Sequence, residues 1–163
     1  MRKIKSTGVI FGDMHFPLHD EEAFSCALKV LEVVKPDVFI NLGDFAEGEI
    51  VSHWRWSRRK RPPLEYQLPL IDKEAEEVNF HMDRIDDVLD KIKCKKKYLA
   101  MGNHDAWYNS FVEENPYLTQ YLPENLFKIN ERGYEWHPYG ELFKLEGSKL
   151  YAYHGGHYSS VNH

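Results

Sequence analysis

The chain is poor in cysteine, in long apolar runs and in surplus positive charge, and each shortage removes a class of protein. Only Cys26 and Cys94 occur in 163 residues. Both fall in segments that read as helical, without the paired spacing of a thiolate zinc site or the density of a disulfide scaffold. They are expected as free thiols in a reducing compartment, which points to the cytoplasm. The basic start, residues 1–5, is followed by an apolar run too brief for a signal-peptide core or a membrane span. A formal net charge of −5 argues against whole-molecule attraction to nucleic acid and leaves that role to local basic patches. There is no internal repeat or low-complexity tract. With 42% hydrophobic residues, the expectation is a single domain over residues 1–163 with a substantial core.

What is present is a rhythm of short apolar strands and amphipathic helices. Residues 7–12 read as a buried strand. Asp20-Glu21-Glu22 opens a helix with acids in its first turn. Its apolar positions Phe24, Ala27, Leu28, Leu31 and Val34 recur at three and four, and Pro36 ends it. Residues 38–42 form a second strand, so the first two strands are expected to be parallel. Residues 46–69, rich in tryptophan, arginine and proline, interrupt the pattern as an insertion. A helix is expected from about Leu70 to Ile92 on the stripe Ile71, Ala75, Val78, Met82, Ile85, Leu89, then a third strand over 97–101. Beyond Asp105, through Pro116 and Pro123, short helices or a capping loop are expected. A hairpin follows, from the alternation at 141–146, the Gly147-Ser148 turn and a strand at 150–153.

Polar clusters close four of these strands: Asp13 and His15, Asp44, Asn103-His104-Asp105, and His154. In a parallel α/β sheet, functional groups collect beyond the carboxyl ends of the strands, so the clusters are expected to converge. Asp13 and His15 can face one ion, Asp44 can bridge two through its two oxygens, and Asn103 and His154 can serve the second. Oxygen and nitrogen donors without thiolate suit manganese, iron or zinc better than calcium. Two ions about 3.5–4 Å apart can hold a shared hydroxide and clamp an in-line displacement at phosphorus. His104 is placed to stabilise charge or protonate the leaving oxygen, with Asp105 orienting its ring.

Gly12-Asp-Met-His15, Gly43-Asp44, Gly102-Asn-His-Asp105 and His154-Gly155 resemble the first four signature motifs of the calcineurin-like metallophosphoesterases. The likeness spans nearly the whole chain and is strongest to small phage and prophage-type members. It implies a four-layer αββα sandwich and two divalent ions, manganese first, with iron, zinc, nickel or cobalt as alternatives. It also implies Asp13, His15 and Asp44 on one ion, Asp44, Asn103 and His154 on the other, and His104 as the catalytic imidazole.

Two departures and one addition stand out. The family's fifth motif, Gly-His-x-His, does not occur in the sequence. The expectation is therefore a fold truncated at its C-terminus, the alternative being that His157 or His163 stands in as a ligand. An uncovered apolar sheet edge would favour oligomers. Glu47, close to the second motif, reads as a surface glutamate. The segment Trp54-Arg-Trp-Ser-Arg-Arg-Lys-Arg61 gathers five basic and two aromatic residues, so Trp54, Arg55, Arg58 and Arg59 are candidates for binding a polyanionic substrate such as nucleic acid or a nucleotide. A phosphodiesterase or nuclease is the leading expectation. The alternatives are a non-catalytic module of the same fold that recruits nucleic acid or a protein partner, and a nucleotide pyrophosphatase.

Overall fold

The computed structural model of the protein describes residues 6–155. Four strands, β1 (Gly8–Phe11), β2 (Val38–Asn41), β3 (Lys96–Ala100) and β4 (Glu135–His137), form one parallel sheet in that order. The register sets Ile10 beside Ile40 and Ile40 beside Tyr98.

Because strand side chains alternate, the sheet has two distinct faces. Phe39 and Leu99, with Val9 and Phe11 beside them, pack on the helices α1 (Glu21–Val34) and α3 (Leu64–Lys91). Ile40, Tyr98 and Ala100 point the other way, onto Phe143 of an antiparallel hairpin made by β5 (Phe143–Lys144) and β6 (Tyr151–Ala152). Helices, parallel sheet and hairpin thus stack as a mixed α/β architecture consistent with the metallophosphoesterase fold. Among the described residues the second sheet has these two strands.

Helix α1 begins where expected: Asp20 Oδ1 accepts the Ala23 N–H at 2.8 Å. Lys35 then closes it in the left-handed region, φ 49°. Helix α3 starts six residues before its expected position, with Pro69 inside it. Proline is tolerated there because the carbonyl it leaves without a donor, on Glu65, is in the first turn and on an exposed residue. Gln67 Nε2 donates to the Pro62 carbonyl at 2.6 Å and ties the helix start to the preceding loop. The expected apolar stripe is buried from Ile71 to Leu89, each large side chain contributing about 1.5–3 kcal/mol.

Three other differences have simple causes. The stretch expected as loop or short helix contains α4 (Asn103–Glu114), a 3₁₀ turn (Thr119–Tyr121), the four-residue helix α5 (Pro123–Leu126) and strand β4. β4 is three residues long and too short to show a period. Cys94 lies in the turn between α3 and β3 rather than in a helix, while Cys26 is in α1, and both are free. The tryptophan-rich segment carries one short helix, α2 (His53–Trp56). Among the described residues no helix is long and apolar enough to cross a membrane.

Candidate metal centre

The loops that follow β1, β2 and β3 are locked to one another before any ion is considered. Backbone bonds run from Asp13 N to Gly43 O (3.0 Å), His15 N to Asp44 O (2.8 Å) and Phe16 N to Phe45 O (2.8 Å). They zip the first loop along the second. The second and third loops touch backbone to backbone: a Cβ on Gly43, at φ +89°, would lie 2.2 Å from Gly102 N, and one on Gly102 would lie 2.0 Å from Asp44 Oδ1. The glycines in Gly43-Asp44 and Gly102-Asn103 are there because nothing larger fits.

Asp105 completes the lock. Its buried carboxylate accepts the N–H groups of Gly102 (2.8 Å), Asp44 (2.8 Å) and Ala46 (3.2 Å). Burial pushes its carboxyl up to about 7, with the Asp44 charge adding to the rise and the N–H donors opposing it. Its hydrogen bonds do not include the His104 ring, whose Nδ1 donates to the Glu47 carbonyl at 2.6 Å. All of Asp105's bonds in the site go to backbone of the second and third loops, because its side chain turns back to cap α4.

Three of the candidate ligands sit in left-handed backbone, Asp13 at φ 52°, His15 at 48° and Asp44 at 48°. Each costs about 1 kcal/mol relative to relaxed backbone. The zipped loops hold them there, and such conformations concentrate at functional sites.

Asp44 is the centre of the cluster. Its Oδ1 accepts the His104 N–H at 2.9 Å, at the N-terminus of α4, where the helix dipole favours negative charge. Its Oδ2 lies 3.4 Å from His154 Nε2 and 3.9 Å from His15 Nε2. Burial works to raise the Asp44 pKa, yet His154 and the His104 N–H hold it below the ordinary carboxylate value. Asp44 in turn raises His154 to about 9 against the effect of burial. His154 Nδ1 donates to the Leu42 carbonyl at 2.6 Å, turning Nε2 toward Asp44 and toward Asn103 Oδ1, 3.2 Å away.

Donor atoms within 4.8 Å of one another fall into two groups that share Asp44: His15, Asp44 and His104, and Asp13, Asp44 and His154. Asp13 has donor atoms within reach of Asp44 and His154; the sequence reading set Asp13 with His15 and Asp44. Asn103 joins the His154 side. His157 and His163 lie outside the described residues.

The residues fit divalent ions. His15 Nδ1 is buried with no hydrogen bond, although Glu47 Oε2 lies 3.0 Å from it. Carboxylate, amide and imidazole donors without thiolate suit a borderline ion, and their spacing is compatible with bonds of about 2.0–2.2 Å to a common ion. A third group, His19, Glu21 and His81, is already served by a cation: Arg84 donates to both Glu21 oxygens at 2.8 and 2.6 Å and lies 3.1 Å from His81 Nδ1.

Two participants escaped the sequence reading. Glu47, expected at the surface, is part-buried, with its carbonyl on His104 and its carboxylate beside His15. Trp107 packs on the His104 ring at 4.0 Å. The signal for Trp107 was its position three residues after His104 on one helix; a backbone carbonyl such as that of Glu47 carries no sequence signal. In the basic segment, Arg55 pairs with Glu49 and Arg61 with Glu114. Trp54, Arg58 and Arg59 are exposed.

A parallel α/β sheet with carboxylate and imidazole groups that could hold a metal gathered past its strand ends defines the class. A family model described as calcineurin-like phosphoesterase matches residues 9–163, and the chain belongs to that family. No curated protein shows significant similarity to the chain. Hydrolysis of phosphate esters with divalent metals is the chemistry of that family.

Proposed function

We propose that the protein is a dinuclear metal-dependent phosphodiesterase or nuclease, with manganese as the first candidate metal. The observation that carries this reading is Asp44, a buried carboxylate whose Oδ2 is approached by both His15 and His154, at 3.9 and 3.4 Å. Asp13, His15 and His154, with the Asn103 amide, would hold two ions around it. Bound divalent ions supply Lewis-acid polarisation of the phosphoryl group and make water a nucleophile at neutral pH.

The protein's own groups do the rest. The α4 N-terminus donates the His104 backbone N–H to the Asp44 carboxylate at 2.9 Å. The Glu47 carbonyl fixes the His104 tautomer by holding the proton on Nδ1, so Nε2 is the ring nitrogen available to the substrate. To act as general acid His104 would carry a second proton, on Nε2, and pass it to the departing oxygen as water adds to phosphorus and the P–O bond breaks.

Hydrolysis of bis-p-nitrophenyl phosphate in manganese is the test. Turnover that chelator removes, and that Asn103→Ala lowers at least a hundredfold, supports the reading. Absence of hydrolysis of mono- and diesters with metal bound overturns it.

A further inference from the structure

The ring of His104 is the inner end of a series of aromatic contacts that the hydrolytic chemistry does not require. Trp107 packs on it at 4.0 Å with its plane tilted by 33°, His53 meets the edge of Trp107 at 6.4 Å and 85°, and Trp54 lies against His53 at 4.6 Å. The rings come from two elements far apart in sequence, α2 and α4. Trp54, at the outer end, is 68% exposed.

Charge accompanies the rings. Arg55 and Arg61 are neutralised by Glu49 and Glu114, but among the described residues no carboxylate lies within 4 Å of Arg58, Arg59 or Lys60. Three consecutive exposed cations therefore follow Trp54 closely in the chain, in a protein of net charge −5.

Resting on the phosphodiesterase reading above, we propose that this strip binds single-stranded nucleic acid and feeds it to the metal centre. Bases stack on Trp54 and along the strip, and Arg58, Arg59 and Lys60 take the phosphates. Stacking platforms combined with a cationic track are the general means of holding single strands without reading sequence. A duplex buries its base faces in its own stack, so it can use the cations but not the rings. Trp54 is here a positioning residue: it acts on the strand outside the scissile bond.

The test is titration of tryptophan fluorescence with a ten-nucleotide oligothymidylate and with a duplex of equal length, in chelator so that no cleavage intervenes. Rates on the oligonucleotide and on bis-p-nitrophenyl phosphate are then measured in manganese. The expected result is quenching by the single strand, with affinity about tenfold lower in Trp54→Ala and largely kept in Trp54→Phe. The ratio of kcat/KM on oligonucleotide to that on the small diester falls by a similar factor in Trp54→Ala, mainly through KM. Replacing Arg58, Arg59 and Lys60 by alanine flattens the salt dependence of binding by about two in the log–log slope.

Equal oligonucleotide affinity in wild type and Trp54→Ala overturns the proposal, as does equal or tighter binding of the duplex. Failure of the underlying phosphodiesterase reading shows separately, as wild-type protein that binds oligonucleotide but hydrolyses neither substrate.

Discussion

Asp105 accepts the backbone N–H of Asp44 at 2.8 Å across 61 residues of chain, so the residue that follows the candidate catalytic imidazole ties together the loops that carry the candidate ligands. Its carboxylate also takes the N–H groups of Gly102 and Ala46. Asp105→Ala leaves three buried donors without an acceptor. The expected loss is roughly 3–5 kcal/mol of folding stability, read by urea denaturation. Asp105→Asn keeps one acceptor oxygen and is expected to lose less. An alanine variant within about 0.5 kcal/mol of wild type would show that other contacts hold these loops.

Gly102 faces Asp44 with no room for a methyl group, since a Cβ would stand 2.0 Å from Asp44 Oδ1. Gly102→Ala must push away either the carboxylate or the loop. Calorimetric titration should show manganese affinity reduced at least tenfold, and thermal melting should show a destabilisation of about 1–3 kcal/mol from overpacking. Unchanged affinity would mean that the Asp44 carboxylate does not hold metal in the orientation described.

His104 lies near enough to His15 and Asp44 to be counted as a ligand, yet its Nδ1 is committed to the Glu47 carbonyl. His104→Ala separates the two roles. As a general acid it is expected to lower kcat by a hundredfold or more while metal content stays at the wild-type value. Loss of bound metal together with activity would reassign it to the ligand set.

His154 gives the site a pH dependence whose sign is fixed. Its pKa in the ion-free fold is raised to about 9 by Asp44, above the usual value near 6.5. The stability this contributes is fully present below about pH 6.5 and is lost as pH rises toward 9. An entering ion must displace that proton. Manganese affinity is therefore expected to rise by up to tenfold per pH unit between pH 7 and 9, with close to one proton released per His154-ligated ion. Titration calorimetry in buffers of different ionisation enthalpy reads the proton directly, and a value near zero would contradict the Asp44–His154 pairing.

Some of this was legible in the sequence and some was not, for physical reasons. β1, β2 and β3 declare themselves as apolar runs between breakers, and α1 shows both its cap and its period. The candidate ligands are legible because carboxylate, amide and imidazole follow strand ends. β4 was hidden because three residues paired only to β3 leave no local pattern. The start of α3 was hidden because Pro69 reads as a breaker, although its place near the helix start makes it harmless. Glu47 was misread because its part in the site runs through its carbonyl as well as its side chain. That Asp13 comes within reach of His154, 141 residues away, depends on how the loops fold together, which spacing alone does not reveal.

Manganese titration of wild-type protein and Asp44→Ala, with bis-p-nitrophenyl phosphate turnover followed against bound metal, tests the role of Asp44 most directly. The expected result is two ions bound by the wild type, turnover that appears as the second fills, and in Asp44→Ala the loss of both turnover and paired binding. Wild-type protein that saturates with manganese and hydrolyses neither monoester nor diester, or an Asp44→Ala variant that still turns over, would contradict it.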